Sequence, residues 1–188
     1  MTVASNRAMM EEHVTENEKT LFDFTGQDKA ARWVRVNDGV MGGLSQSELR
    51  FTPHGTAFFQ GTLSLENYGG FASVRTTPYD CDLDGYAGLT VRVKGDGHRY
   101  KLRLRADDRL DGPAYEADFE TEAGTWTVAQ IPFADLRPTF RGRRLRNVPA
   151  LDGAAVRQIG FMIADKQAGP FRLEIDWVKA YKSDRETT

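Results

Sequence analysis

From Thr20 onward, apolar and polar residues alternate with a period of two, in short segments separated by Gly, Pro, Asn and Asp. That spacing predicts strands rather than helices. Leu89, Val91 and Val93 share one face against Thr90, Arg92 and Lys94, and the run stops at Gly95-Asp96-Gly97, a turn signal. Tyr100, Leu102 and Leu104 then alternate with Lys101, Arg103 and Arg105, so a hairpin is expected between the two runs. A third run sets Tyr115, Ala117 and Phe119 against Glu116, Asp118 and Glu120. Antiparallel pairing of the second and third runs places three cations opposite three anions. Further strands are expected at Leu21–Phe24, Trp33–Val36, Ser47–Phe51, Ala57–Leu65, Phe71–Thr76, Thr125–Ile131, Gln158–Ala164 and Phe171–Tyr181. Helical turns are expected only around Asp28–Arg32 and Asp152–Val156.

This succession predicts an all-β fold, a jelly-roll β-sandwich of two antiparallel sheets. Residues 1–19 read as a flexible leader, 20–182 as a single domain and 183–188 as a tail. Pro132 to Pro149, with Arg137, Arg141, Arg143, Arg144 and Arg146, reads as an exposed irregular connection. It is a solvated loop before it is a dock for an acidic partner.

Length and charge narrow the picture. A chain of 188 residues can bury roughly 70% of its unfolded surface around one core. Lys and Arg number 25 against 27 Asp and Glu, a net charge of −2, so no global field draws the protein to nucleic acid or to an anionic membrane. The single cysteine, Cys81, cannot form an internal disulfide and fits a reducing compartment. No apolar run of membrane-spanning length occurs, and Glu11, Glu12, Glu16 and Glu18 count against a signal or transit peptide. The expected location is therefore cytoplasmic.

Two glycine-rich segments interrupt the strands. Asn37, Asp38, Gly39, Met41, Gly42 and Ser45 lie in the first, and Asn67, Gly70, Phe71, Ser73 and Arg75 lie in or just after the second. Either these are loops whose bare backbone approaches a ligand or partner, or they are turns that carry the chain between sheets. The binding reading makes those eleven residues one surface, with Arg75 as its charged anchor.

The residues W-V-R-V-N-D-G-V-M-G-G-L-S from Trp33, G-T-L-S-L-E-N-Y-G-G-F-A-S-V-R from Gly61 and V-R-V-K-G-D-G-H-R-Y from Val91 resemble the complex I intermediate-associated protein family. The likeness runs through Gly169-Pro170-Phe171. It implies a galactose-binding-like jelly roll and a non-enzymatic binding or assembly-factor role with a protein partner, the family's mitochondrial member being similar to an assembly chaperone. With no transit peptide in evidence, it implies a bacterial-type cytoplasmic relative. The same fold hosts carbohydrate-binding modules, so a lectin-like module using Phe71 or Tyr68 as a stacking platform is the alternative.

Signals for other chemistry are weak. Asp80-Cys81-Asp82-Leu83-Asp84-Gly85 matches the first half of a calcium loop, yet the twelfth position is Val91. Asp176 resembles an acidic position that some galactose-binding-like domains use for structural calcium. His13, His54 and His98 have no ligand spacing, and Cys81 has no histidine near it in sequence. No catalytic residue, metal or cofactor is assigned.

Overall fold

The computed structural model describes residues 17–26, 32–109 and 111–183. Most of the expected leader, most of the turn at Asp28–Arg32 and nearly all of the tail lie outside the described residues. Among the described residues there are thirteen strands in two antiparallel sheets and no α-helix. The six-stranded sheet runs β3 (Gln46–Phe51), β4 (Ala57–Leu63), β13 (Gly169–Tyr181), β6 (Gly88–Lys94), β9 (Trp126–Pro132). At 13 residues, β13 is long enough to pair with β4 along its first half and with β1 (Glu18–Phe22) along its second. The seven-stranded sheet runs β11 (Arg143–Arg144), β10 (Arg137–Phe140), β8 (Ala114–Glu120), β7 (Arg99–Arg105), β12 (Gln158–Ile163), β5 (Ala72–Thr76), β2 (Trp33–Arg35).

The predicted alternation supplies the core. Leu89, Val91 and Val93 from one sheet and Leu102, Leu104, Ile159 and Phe161 from the other are all fully buried. Interdigitation of two such inward faces is what holds a sandwich together. Phe22, Phe24, Trp33 and Phe161 form one aromatic cluster, and Phe59, Tyr100, Phe119 and Phe171 another.

Strands β7 and β8 are adjacent and antiparallel as expected, with Lys101 opposite Asp118 and Arg103 opposite Glu116, but the third cation facing an anion is Arg99, opposite Glu120, rather than Arg105. Ion pairs form at 2.6 Å and 3.1 Å. These side chains are less solvated than their alternation suggested, because Lys101, Arg103 and Glu116 are 13%, 17% and 18% exposed. Glu116→Gln is expected to cost about 1–3 kcal/mol, since a half-buried guanidinium loses its charged acceptor. A chemical denaturation curve with an unchanged midpoint would contradict it.

Three expectations are corrected. The runs at Leu89 and Tyr100 do not form a hairpin, because β6 is already flanked by β13 and β9 and the chain at Gly95–Gly97 crosses to the other sheet. Asp96 pins that crossing by accepting from the Arg172 N–H at 2.6 Å, the His98 N–H at 3.1 Å and the Tyr100 hydroxyl at 3.0 Å. Burial pushes its carboxyl up, but those donors outweigh it and hold the pKa below the usual range. The Arg-rich stretch is not irregular, because Arg137–Phe140 pairs with β8 and with Arg143–Arg144. Its buried residue is the polar Thr139, between Pro138 and the half-buried Phe140, which hid the alternation. Finally, Glu18 and Lys19, inside the segment read as leader, pair with Tyr181 and Ala180.

Candidate functional site

The two glycine-rich segments meet around one carboxylate. Asp38 opens a single 3-10 turn, Asp38–Met41, that ends at Gly42 in the left-handed conformation, φ +88°. The Asp38 side chain is fully buried. Its Oδ1 accepts from the Ser45 N–H at 3.0 Å, and its Oδ2 from the Ser45 hydroxyl at 2.5 Å, the Gly70 N–H at 2.7 Å and the Phe71 N–H at 3.4 Å. Burial alone would raise the carboxyl's pKa; the hydrogen bonds from Ser45, Gly70 and Phe71 prevail and lower it. One charge therefore staples the loop 37–45 to the turn 64–71.

The staple explains the glycines. A Cβ on Gly43 would strike the Asp38 carboxyl, and one on Gly69 would lie 2.6 Å from Asp38 Oδ2. Gly42 needs its positive φ. Asn37 extends the network, its Oδ1 accepting from the Ser47 hydroxyl at 2.7 Å and the Ser73 N–H at 3.3 Å. The Ser73 hydroxyl in turn donates to the Val36 carbonyl.

The polar residues expected to greet a partner are thus largely turned inward. Asp38, Ser45 and Ser73 are buried, Asn37 and Phe71 are half-buried, and Gly70 spends its N–H on Asp38. Gly39, Met41, Gly42 and Asn67 remain exposed. Arg75 is displaced from the expected surface altogether. It is 8% exposed on β5, where it pairs with Gly160 of β12 and Val34 of β2, because alternation turns it onto the outer face of the seven-stranded sheet.

What the loops present instead is apolar. Val40 is 77% exposed, Met41 56%, Leu44 53%, Leu65 43% and Tyr68 97%. Asn67 and Tyr68 both adopt left-handed backbone, φ 54° and 61°, a strained pair of the kind that persists where surrounding structure enforces it. Four of these five side chains were absent from the expected site. Their signal was an apolar residue inside a glycine-rich loop with no strand period to bury it.

Beside the loops runs a shallow groove of about 810 Å³, lined by amides and guanidiniums that include Asn37, Gln46, Gln60, Arg35 and Arg172. Elsewhere, Asp82 of the calcium-like segment pairs with Lys19 at 2.7 Å, and among the described residues no cluster of His, Cys, Asp and Glu suits a metal. Cys81 is buried, which pushes its thiol up to about 11. Asp176 is taken by the Arg92 guanidinium. No helix among the described residues is long and apolar enough to cross a membrane.

Comparison with known proteins gives this geometry a context. The chain is 29% identical over 182 residues to "Complex I intermediate-associated protein 30, mitochondrial" of Drosophila melanogaster, covering 84% of this chain and 61% of that one. Its mouse counterpart is 26% identical, covering 95% and 60%. The chain thus spans about three fifths of the length of these relatives. Their names point to mitochondria and overturn the expected cytoplasmic location. Among solved structures, a family 11 carbohydrate-binding module from Clostridium thermocellum superposes with a TM-score of 0.66 at 18% identity, covering 89% of this chain and 96% of that one, a likeness of fold. Residues 22–175 match the model of the complex I intermediate-associated protein 30 family, and the chain belongs to that family.

Proposed function

We propose that this chain is a non-enzymatic binding module that docks a protein partner on the apolar tips of its two stapled loops. One observation carries the reading. Five of the seven large apolar side chains that are exposed among the described residues lie in those loops. Exposed apolar side chains gathered in one place mark interaction surfaces, and a tyrosine such as Tyr68 is a residue type that interface hot spots favour. The relatives' name, complex I intermediate-associated protein, supplies the class of partner, an intermediate of that complex.

The test is capture of solubilised complex I subcomplexes, followed by native electrophoresis. Val40→Ser, Leu44→Ser and Tyr68→Ser combined should reduce capture at least tenfold while the melting temperature moves by no more than about 2 °C, as expected for exposed positions. Capture that survives the triple variant overturns the reading. The polar groove supports a second one, a sugar ligand, since amides and guanidiniums suit hydroxyl groups. Its one aromatic, Phe171, is buried and offers no stacking face. Glycan-array binding that Gln46→Ala and Gln60→Ala abolish would favour the sugar.

A further inference from the structure

The seven-stranded sheet ends in a hairpin of arginines. Strands β10 and β11 pair through Thr139 with Arg144 and Phe140 with Arg143, and β11 is the edge strand. The stapled loops adjoin β2 and β5, at the opposite edge of the same sheet. Arg137, Arg141, Arg143, Arg144 and Arg146 are all exposed, and no acidic residue stands between Leu136 and Leu151. The chain carries 27 acidic against 25 basic side chains, so gathering five arginines here leaves the rest of the molecule with a larger acidic excess.

Two observations separate this hairpin from a solvated loop. Elsewhere the fold answers arginines with carboxylates: Arg92 with Asp176, Arg99 with Asp165 at 3.3 Å, Arg103 with Glu116 at 3.1 Å, Arg109 with Asp107 at 2.7 Å and Arg157 with Asp108 at 3.0 Å. Among the described residues, none of the five hairpin arginines makes an ion pair. Arg137 donates to the Ala134 and Leu136 carbonyls at 2.8 Å and 3.4 Å, and Arg141 lies over the Phe140 ring, 5.2 Å from its centroid. The second observation is the turn itself. Its two central residues, Arg141 and Gly142, both have positive φ, 49° and 73°, as a type I′ turn requires. The first of these positions favours Asn, Asp or Gly, because a longer side chain is strained in left-handed backbone. An arginine held there against its conformational preference is an outlier from which a binding role is inferred.

The placement of the charges selects the partner. Alternation puts Arg137 and Arg144 on one face of the hairpin and Arg143 on the other, with Arg141 at the tip. A flat anionic bilayer would meet only one of those faces. A bilayer or a nucleic-acid duplex would also extend past the hairpin onto the acidic remainder of the molecule, and be repelled within a screening length of roughly 8–10 Å. A short acidic segment reaches both faces without crossing that remainder, and each of its carboxylates can accept a guanidinium fork. We propose that the β10–β11 hairpin docks a short acidic segment of a partner protein, whose Asp and Glu side chains are held by Arg141, Arg143, Arg144 and Arg146, on a surface separate from the loop tips.

The test titrates the full chain, labelled with ¹⁵N, with a peptide of about ten alternating Asp and Glu residues in about 50 mM salt, where surface charge is lightly screened. Saturable shifts of the Gly142 amide are expected, with a Kd below about 0.1 mM that weakens at least tenfold at about 300 mM salt. Arg143→Gln, Arg144→Gln and Arg146→Gln combined should weaken binding at least tenfold, whereas Arg50→Gln, an exposed arginine of the other sheet, should leave it within about twofold. Arg141→Asn separates binding from folding. Asn suits the turn, so this variant should melt about 2 °C higher and yet bind the peptide at least threefold more weakly. An Arg141→Asn protein that melts lower would assign Arg141 to the structure of the turn and overturn its place in the site. The proposal as a whole is overturned if Gly142 fails to respond to about 1 mM peptide, or if the folded triple variant binds as wild type does. Tighter binding at the same salt to an RNA duplex of about 20 base pairs, or to vesicles containing about one third phosphatidylserine, would overturn it in favour of a phosphate surface.

Discussion

Asp38→Asn is expected to destabilise the protein by about 3 kcal/mol and lower its melting temperature by roughly 6–12 °C. The buried carboxylate accepts on both oxygens, one N–H on Oδ1 and three donors on Oδ2. An amide turns its NH₂ either toward the Ser45 N–H or toward the Ser45 hydroxyl and the Gly70 and Phe71 N–H groups, so at least one buried donor loses its acceptor and the charge that strengthens the rest is removed. Capture of the partner should fall with it, because the loop tips lose the staple that holds them together. The pH dependence follows from the lowered pKa. A carboxyl whose folded pKa lies below its unfolded value of about 3.9 stabilises fully above that value and loses the contribution as pH falls through the folded pKa. Wild type should therefore weaken below about pH 4 by more than Asp38→Asn does, and equal acid sensitivity would place the depressed pKa elsewhere.

Gly61→Ala should rank with it, at about 2–4 kcal/mol, read as a shift in the midpoint of denaturant unfolding. Gly61 lies on β4 between Ser47 of β3 and Phe171 of β13. A methyl group there would collide with the Gln46 carbonyl and lie 2.8 Å from the Ser47 Cα, and both are backbone, so no rotamer change relieves it. The edge strand β3 must move away, taking with it Gln46 and Ser47, which follow directly on the stapled loop. Gly39→Ala is the control, since nothing lies within 4 Å of its Cβ position. A Gly61→Ala protein as stable as Gly39→Ala would show that β3 yields without cost.

Much of the fold was legible along the chain because a period of two writes burial directly into sequence. Val91, Leu102 and Leu104 are core residues by alternation and are fully buried in the sandwich. The β7–β8 pairing was legible because strands carrying unlike charges on one face favour each other as neighbours, although the register that sets Arg99 rather than Arg105 in the ladder was not. The candidate site was legible in its parts and misread in its sense. Asn37, Asp38 and Ser45 stood out as short polar groups among glycines, yet polarity in sequence cannot distinguish a group offered to solvent from one satisfied internally. The apolar Val40, Leu44 and Leu65 were passed over because a loop has no period against which an unburied residue shows.

The sequence alone determined most of the strands, the two inward faces and the family resemblance, all of which rest on local pattern. Tertiary structure alone decided the remainder. It sent the chain at Gly95–Gly97 across to the second sheet, because the positions beside β6 go to strands distant in sequence. It joined Asp38 to Gly70 across 32 residues, and aligned Arg75 with Arg103 around Gly160. Such meetings depend on which segments become neighbours when two sheets close on one core, and an antiparallel sandwich brings together residues whose separation along the chain carries no trace of it.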